Sequence, residues 1–485
     1  MSLSRLRPLI FWCFVMAFFG TASLIIFYAF GYRYSFERGI FVYSGSITVS
    51  SLPRSINVTI DGKPLAEKQY GTLNDTIHIT GLMPGEHELT LSAPGYRSWS
   101  KKTIIQSGIS TEYWNVILTR EDYPAVTLPN TAGTERIYPH PDNDLFALAK
   151  TREGETSVVV YDRQTQEGRE VFSRPSAAFD FDLAENFEWS PSGKKILIPL
   201  LEDGVRSYYI VTIADGGTEK LSDIAPGLIA TNVRWNAAGS EELLFIADRS
   251  LYHFDTVKSR TPLHLSENIF AYDVTDNYIY TASADTGAIA RFRNDGSGDN
   301  QTDIAPGFEA GPFTGPAVLD VYDEERIALL ERSDKKRLFF YNRGKDSVYP
   351  FREIGKNIDR FQFSNDGKKL LFANGSEISV YFSRDWEVQP RRIENETLQI
   401  ARFSDPVSNV SWTEDYEHVL FTRGNTLKLI ELDGRSGRAI NDLKGFVETP
   451  SQVLTFFPEN RLFVVAPNTD ISSFVFPEPQ GLFGE

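Results

Sequence analysis

The sequence predicts an all-β protein carried behind one apolar N-terminal helix. Three observations point there. Aromatics make up 13% of the chain, with 35 Phe and 21 Tyr, many of them in short apolar runs broken by Gly, Pro and Asp, a composition that favours strands over helices. One uncharged stretch stands near the N-terminus, and a short phrase recurs from residue 138 onward. At 485 residues the chain exceeds one compact domain, so two or three units are expected.

The uncharged stretch runs from Leu9 to Gly31, 23 residues. As a helix it would reach about 34 Å, enough to cross a hydrocarbon core of about 30 Å. Trp12 toward one end and Tyr28, Tyr32 and Tyr34 at the other resemble the aromatic belts of membrane interfaces. A cleaved signal peptide would need a shorter apolar core and a small-x-small site after it, whereas Tyr32, Arg33 and Tyr34 follow here. An uncleaved anchor is therefore expected, with a cleaved signal as the alternative. Residues 1–8 form a short cytoplasmic tail in this reading, and the bulk of the chain lies outside the cytoplasm, tethered to the cell membrane by a single pass. The one cysteine, Cys13, falls inside the stretch, so no disulfide forms within the chain.

Net charge is −16, and because residues 1–38 carry +3, residues 39–485 carry −19. An acidic surface of that size repels phosphate backbones and argues against nucleic acid as a partner. Neutral glycans and other proteins of the cell envelope stay open.

Residues 45–119 read as a small β-sandwich. Ile47 and Val49, then Ile56, Val58 and Ile60, alternate along two strands separated by Pro53, and Asp61-Gly62 makes a hairpin turn. Further short strands follow at Ile77–Ile79, His87–Leu91, Thr103–Ile105 and Tyr113–Leu118, with turns at Pro84-Gly85 and Pro94-Gly95. The order Ser51-Leu52-Pro53, Val58-Thr59-Ile60-Asp61-Gly62, Leu82-Met83-Pro84-Gly85-Glu86-His87, Gly95-Tyr96 and Val116-Ile117-Leu118 resembles the PEGA domain over the whole module. The tetrapeptide that names that family stands here as Pro53-Arg54-Ser55-Ile56. The resemblance implies a surface module that contacts proteins or polysaccharides and performs no chemistry.

From residue 120 to 485 internal repetition sets the expectation. An aromatic or apolar anchor, a polar turn and an apolar run recur eight times, at Tyr138, Trp189, Trp235, Val274, Val321, Phe363, Trp412 and Phe457, with 39–51 residues between anchors. A period of about 40–50 residues is that of four-stranded propeller blades. Eight blades are expected, seven being the alternative, with Val126–Leu128 pairing into the last blade to close the ring. The phrases Ser190–Lys195 and Ser364–Lys369 resemble the repeat of TolB-like β-propellers, and that resemblance implies action through protein contacts. Trp189, Trp235 and Trp412, each at the same repeat position, are expected to pack between blades.

Chemistry is harder to find. No nucleophile elbow, zinc-protease helix, phosphate loop or dinucleotide fingerprint occurs. His78 and His87 sit on strands without a metal-ligand neighbour, and His140, His253, His264 and His418 are scattered singly, so surface positions are expected for all of them. Asp295–Asn300 with Asp303 offers clustered oxygens for Ca²⁺, but it occupies a recurring hairpin turn and lacks a bidentate Glu. The sequence thus predicts no catalytic, metal or cofactor residue. The expected function is that of a non-catalytic, membrane-anchored binding or scaffold protein of the cell envelope. A glycan hydrolase or lyase with its site in the propeller channel is the alternative, and a sensor, with only eight residues before the span, would need a membrane partner.

Overall fold

The computed structural model describes residues 3–478, apart from 37–38, 66–68, 71–75, 142–143, 184, 240, 258, 295–300, 308–314 and 346–350. The helix spans Leu3–Ala29 and so begins inside the stretch expected as a tail. Its segment Ile10–Ala29 is long and apolar enough to cross a membrane, and none of it is buried against the rest of the protein. Gly31, at φ +89°, breaks it. A hairpin not foreseen in the sequence, Tyr32–Ser35 paired with Ile40–Tyr43, connects it to the next module.

That module is a sandwich of two four-stranded sheets. One has the order Ser110–Ile117, Gly45–Leu52, Ile77–Leu82, Gln69–Tyr70, and the other Lys63–Pro64, Asn57–Ile60, Gly85–Ser92, Trp99–Ile105. The alternating set Ile47, Val49, Ile56, Val58 and Ile60 points inward and packs with Leu89, Leu91, Trp99 and Tyr113. Asp61 and Gly62 both take positive φ, +50° and +71°, as a two-residue hairpin turn of the mirror type requires.

Beyond it, eight sheets follow one another among the described residues, each built of consecutive antiparallel strands: 134–175, 177–220, 231–266, 269–305, 317–355, 360–402, 407–445 and 452–475. The last has three strands of its own, and Val126–Thr127 supplies the fourth by pairing with Ser472–Ser473. Apolar layers join each sheet to the next, and Ile137, Phe146 and Leu148 of the first pack on Phe456, Phe463 and Val465 of the eighth, so the array closes into a β-propeller. First strands of neighbouring sheets touch one another and line the central channel.

The three tryptophans lie between sheets and do more than fill space. Each indole N–H donates to a carbonyl on the first strand of the preceding sheet: Trp189 to Tyr138 O at 3.0 Å, Trp235 to Glu188 O at 3.3 Å and Trp412 to Gln362 O at 3.1 Å. The polar turn after the anchor has its own link, since Lys195 pairs with Glu241 of the next sheet and Lys369 with Glu417.

The sandwich docks on the ends of the sixth to eighth sheets. Lys101 is almost fully buried, ion-paired with buried Glu431, and it donates to Asp433 O and Gly437 O at 2.8 Å each. Trp99 Nε1 donates to Glu431 Oε2 at 3.0 Å. Arg435 reaches back, donating to Glu112 O at 2.7 Å and lying 4.1 Å over the Tyr113 ring. Arg120 and Tyr96 both engage Glu478. Gln389, Asp433 and Arg435 follow third strands of their sheets, as does Glu478, so the module covers the face on which first strands end and leaves the face on which they begin open.

Two outcomes follow from this packing. Trp412→Phe, which keeps an aromatic ring but orphans Gln362 O, should cost about 1–3 kcal/mol in urea unfolding, against about 3–5 kcal/mol for Trp412→Ala. Lys101→Met leaves Glu431 buried without its cation, a change that typically costs about 3–5 kcal/mol. It should appear as faster amide exchange across Trp99–Ile105 and quicker proteolysis between Leu118 and Pro124.

Candidate functional site in the propeller channel

The first strand of the second sheet is broken. Phe179 pairs with Leu200 and Glu188 with Leu197 on the same neighbour, so residues 180–183 and 185–187 have no room in the ladder and loop out from a strand that lines the channel. Arg206 ties both ends of this loop, with Nε 2.6 Å from Asp180 Oδ2 and Nη1 2.9 Å from Glu185 Oε1. Tyr208 O–H donates to Glu185 Oε2 at 2.5 Å. At the tip, Asp182 Oδ2 meets Arg332 Nη2 of the fifth sheet at 3.1 Å. Sheets two and five stand three places apart in the ring, so the contact crosses the channel.

On the open face this crossing loop forms one wall of a cavity of about 480 Å³, whose lining includes Arg136, Phe181, Leu183, Arg332, Asp359 and Arg360. Arg136 lies 4.2 Å over the Phe181 ring, and Phe181 stacks on Phe179 at 5.4 Å. Asp182 neutralises Arg332, and Asp359 is taken by Lys336 at 2.7 Å. Burial, and after it the charge of Arg136, pull the Arg360 guanidinium below its usual range.

Toward the other face the channel is acidic. Just before the repeat anchors stand Glu188, Arg234, Asp273, Asp320 and Gln362. Three of these accept the backbone N–H of the next sheet's anchor: Glu188 from Trp235 at 2.5 Å, Asp273 from Val321 at 2.8 Å and Gln362 from Trp412 at 3.2 Å. Arg234 pairs with Asp273 at 2.6 Å. Burial pulls its guanidinium down, but Asp273 and Glu188 outweigh that and hold it above its ordinary value. Asp320 is different, since burial, with the charge of Asp273 adding and Arg234 opposing, raises its carboxyl to about 7. Glu185 is likewise raised to about 7, chiefly by burial and against the pull of Tyr208 and Arg206.

The histidines do not join this site. His78 contacts Thr48 and Thr76, His253 contacts Glu242 at 2.9 Å, and His264 stays exposed. Against expectation His140 and His418 are buried. His140 Nε2 lies 3.1 Å from Gly193 O, so close that a Cβ on Gly193 would collide with the ring. His418 Nδ1 is 2.7 Å from Asp415 Oδ2, and His87 is held between Asp61 and Met83 O at 2.7 Å each. Each ring found a local partner that the lack of metal spacing could not reveal. The Asp295–Asn300 turn lies outside the described residues, and among the described residues no group of three His, Cys, Asp or Glu is placed to hold a metal. The crossing loop had one signal in the sequence, because the interval from Tyr138 to Trp189 is 51 residues, the longest between anchors.

Residues 44–118 match the family described as PEGA domain, which bears out the resemblance read from the module. No curated protein matches the chain. Among solved structures, the Dos1 propeller aligns at 11% identity and TM-score 0.46, covering 74% of this chain and 96% of that one. A chain of the mitotic checkpoint complex aligns at 12% identity and TM-score 0.40, covering 73% and 95%. An oligogalacturonate lyase from Vibrio parahaemolyticus aligns at 9% identity and TM-score 0.38, covering 74% and 99%.

A pH titration tests the Asp320 environment. Its folded carboxyl is raised from 3.8 to about 7, so the folded protein holds this proton better than the unfolded chain. The associated stability is fully present below about pH 4, falls as pH rises and is gone above about pH 7. Asp320→Asn should therefore melt a few degrees higher than the parent at pH 8 and match it near pH 4. Parallel melting curves across that range would remove the argument.

Proposed function

We propose that this protein is a membrane-tethered, extracytoplasmic binding protein, without catalytic activity of its own, that presents the open face of its propeller to a protein or polysaccharide of the cell envelope. The observation that carries the reading is the docking of the PEGA module. Lys101, Trp99 and Arg435 clamp it to the seventh sheet through buried charges and main-chain carbonyls. Flexible linkage would let the propeller tumble, whereas this clamp gives it one orientation with the channel mouth turned away from the module. The helix Leu3–Ala29 supplies the tether, with its N-terminus in the cytoplasm.

A second reading, a glycan hydrolase or lyase acting in the channel, has Asp320 as its support, because a carboxyl titrating near 7 suits proton transfer. It predicts release of reducing ends from wall glycan that Asp320→Asn abolishes. The binding reading predicts no turnover by either protein.

Topology is testable with one cysteine. Cys13 lies in the helix, and Val447 is 93% exposed on the propeller. In a Cys13→Ser, Val447→Cys protein, a membrane-impermeant maleimide should label residue 447 in cells whose outer layers are opened but whose inner membrane is intact. Labelling only after lysis places the propeller in the cytoplasm and defeats the reading.

A further inference from the structure

The cavity at the open end of the channel carries more positive charge than its neighbours neutralise. Of the cations around it, Arg332 is paired with Asp182 and Lys336 with Asp359. Arg136 rests on the Phe181 ring and faces no carboxylate within ion-pair distance among the described residues, and the same holds for Arg360. Neither guanidinium thus has an ion pair of its own, and the charge of Arg136 works against the Arg360 proton, opposed by Asp359, which Lys336 already engages. The two arginines stand in a protein that carries −19 outside residues 1–38. Holding like charges together at a partly desolvated site costs stability unless a ligand repays it.

We infer that this mouth binds a carboxylate carried on an apolar peptide segment, the acid seated against Arg360 and Arg136 and a flanking side chain on Leu183. Guanidinium groups take carboxylates through charge-assisted hydrogen bonds, and a cavity of about 480 Å³ is of the size that holds a few side chains. A peptide is favoured over an acidic sugar because, among the described residues that line the cavity, no aromatic face is free for a sugar ring. Phe181 is covered by Arg136 and stacked on Phe179, and Phe361 packs into the layer between the fifth and sixth sheets. Leu183, 41% exposed, instead offers an apolar contact at the tip of the crossing loop. This inference rests on the open face being the binding face, but its test is made on purified protein and is independent of where the cell places it.

The full chain in lipid nanodiscs is titrated with a fluorescein-labelled panel of end-blocked pentapeptides, each with one central Glu among Val, Leu and Phe, and with their Gln counterparts. Anisotropy should show Glu peptides bound and Gln peptides weaker by about tenfold or more, with binding that falls as salt rises. Arg360→Gln and Arg136→Gln should each lose about tenfold, while Lys428→Gln on the outer surface changes nothing; melting curves confirm that each variant is folded. Arg360→Glu should in turn prefer the same peptides with central Lys. Equal binding of Glu and Gln peptides, indifference to Arg360, no binding across the panel, or Arg360-dependent binding of a glucuronate oligomer in place of the peptides would each overturn the inference. A propeller found in the cytoplasm by cysteine labelling, with peptide binding intact, would instead overturn the localisation alone.

Discussion

The pairing of Val126–Thr127 with Ser472–Ser473 constrains everything else. It closes the ring by giving the eighth sheet a strand from the other end of the propeller, paired with Ser472 and Ser473. It also fixes where the PEGA module can be. Only residues 118–125 separate the closing strand from the module's last strand, Ser110–Ile117, and eight residues reach at most about 28 Å. The module must therefore lie near the eighth sheet, and its contacts spread it over the sixth to eighth. Because fourth strands run back toward the face where first strands begin, the chain must enter from the opposite face, and the module docks there.

Once docked, the module holds by charges withdrawn from water. Lys101 satisfies two main-chain carbonyls as well as Glu431, and Glu431 also accepts from Trp99 and from the Ala439 N–H at 2.7 Å. A buried pair is a weak source of net stability against an apolar isostere but a strong source of specificity, since either partner alone is costly. Apolar contact alone would tolerate several seatings of a sandwich on a ring. The Lys101 and Arg435 contacts admit one, and orientation is what a presented face needs.

Much of this fold was legible in the sequence because it repeats. Period-two alternation marked the sandwich core, and the recurring Trp189, Trp235 and Trp412 marked the layers between sheets, since a position that packs the same way in every sheet draws the same residue. Val126–Leu128 stood out as a strand with no repeat of its own. The docking contacts were not legible, because Lys101 and Glu431 are 330 residues apart and each looks like an ordinary surface charge until the ring brings them together. Arg136, Arg332 and Arg360 belong to the same class. They come from three sheets, Arg136 and Arg360 on first strands and Arg332 just after a second strand, and only closure places them at one mouth. The hairpin Tyr32–Tyr43 was hidden for another reason, its aromatics reading as the edge of the membrane span.

The carboxylates of the channel divide by role when compared along the repeat. Glu188 and Asp273 could be taken for a catalytic pair, yet Gln362, at the same position two sheets on, accepts the same backbone N–H without any charge. Gln452 makes an analogous link at the closure, accepting from Ile137 N–H at 2.7 Å and donating to Ile137 O at 3.2 Å. What the position requires is an acceptor that reaches the next sheet, and an acid serves as well as an amide. Asp320 occupies the same place in the repeat and makes no such hydrogen bond among the described residues. It stays beside the Arg234–Asp273 pair with its proton held more firmly than in the unfolded chain, the one acid of the series that the ring does not use to hold itself together.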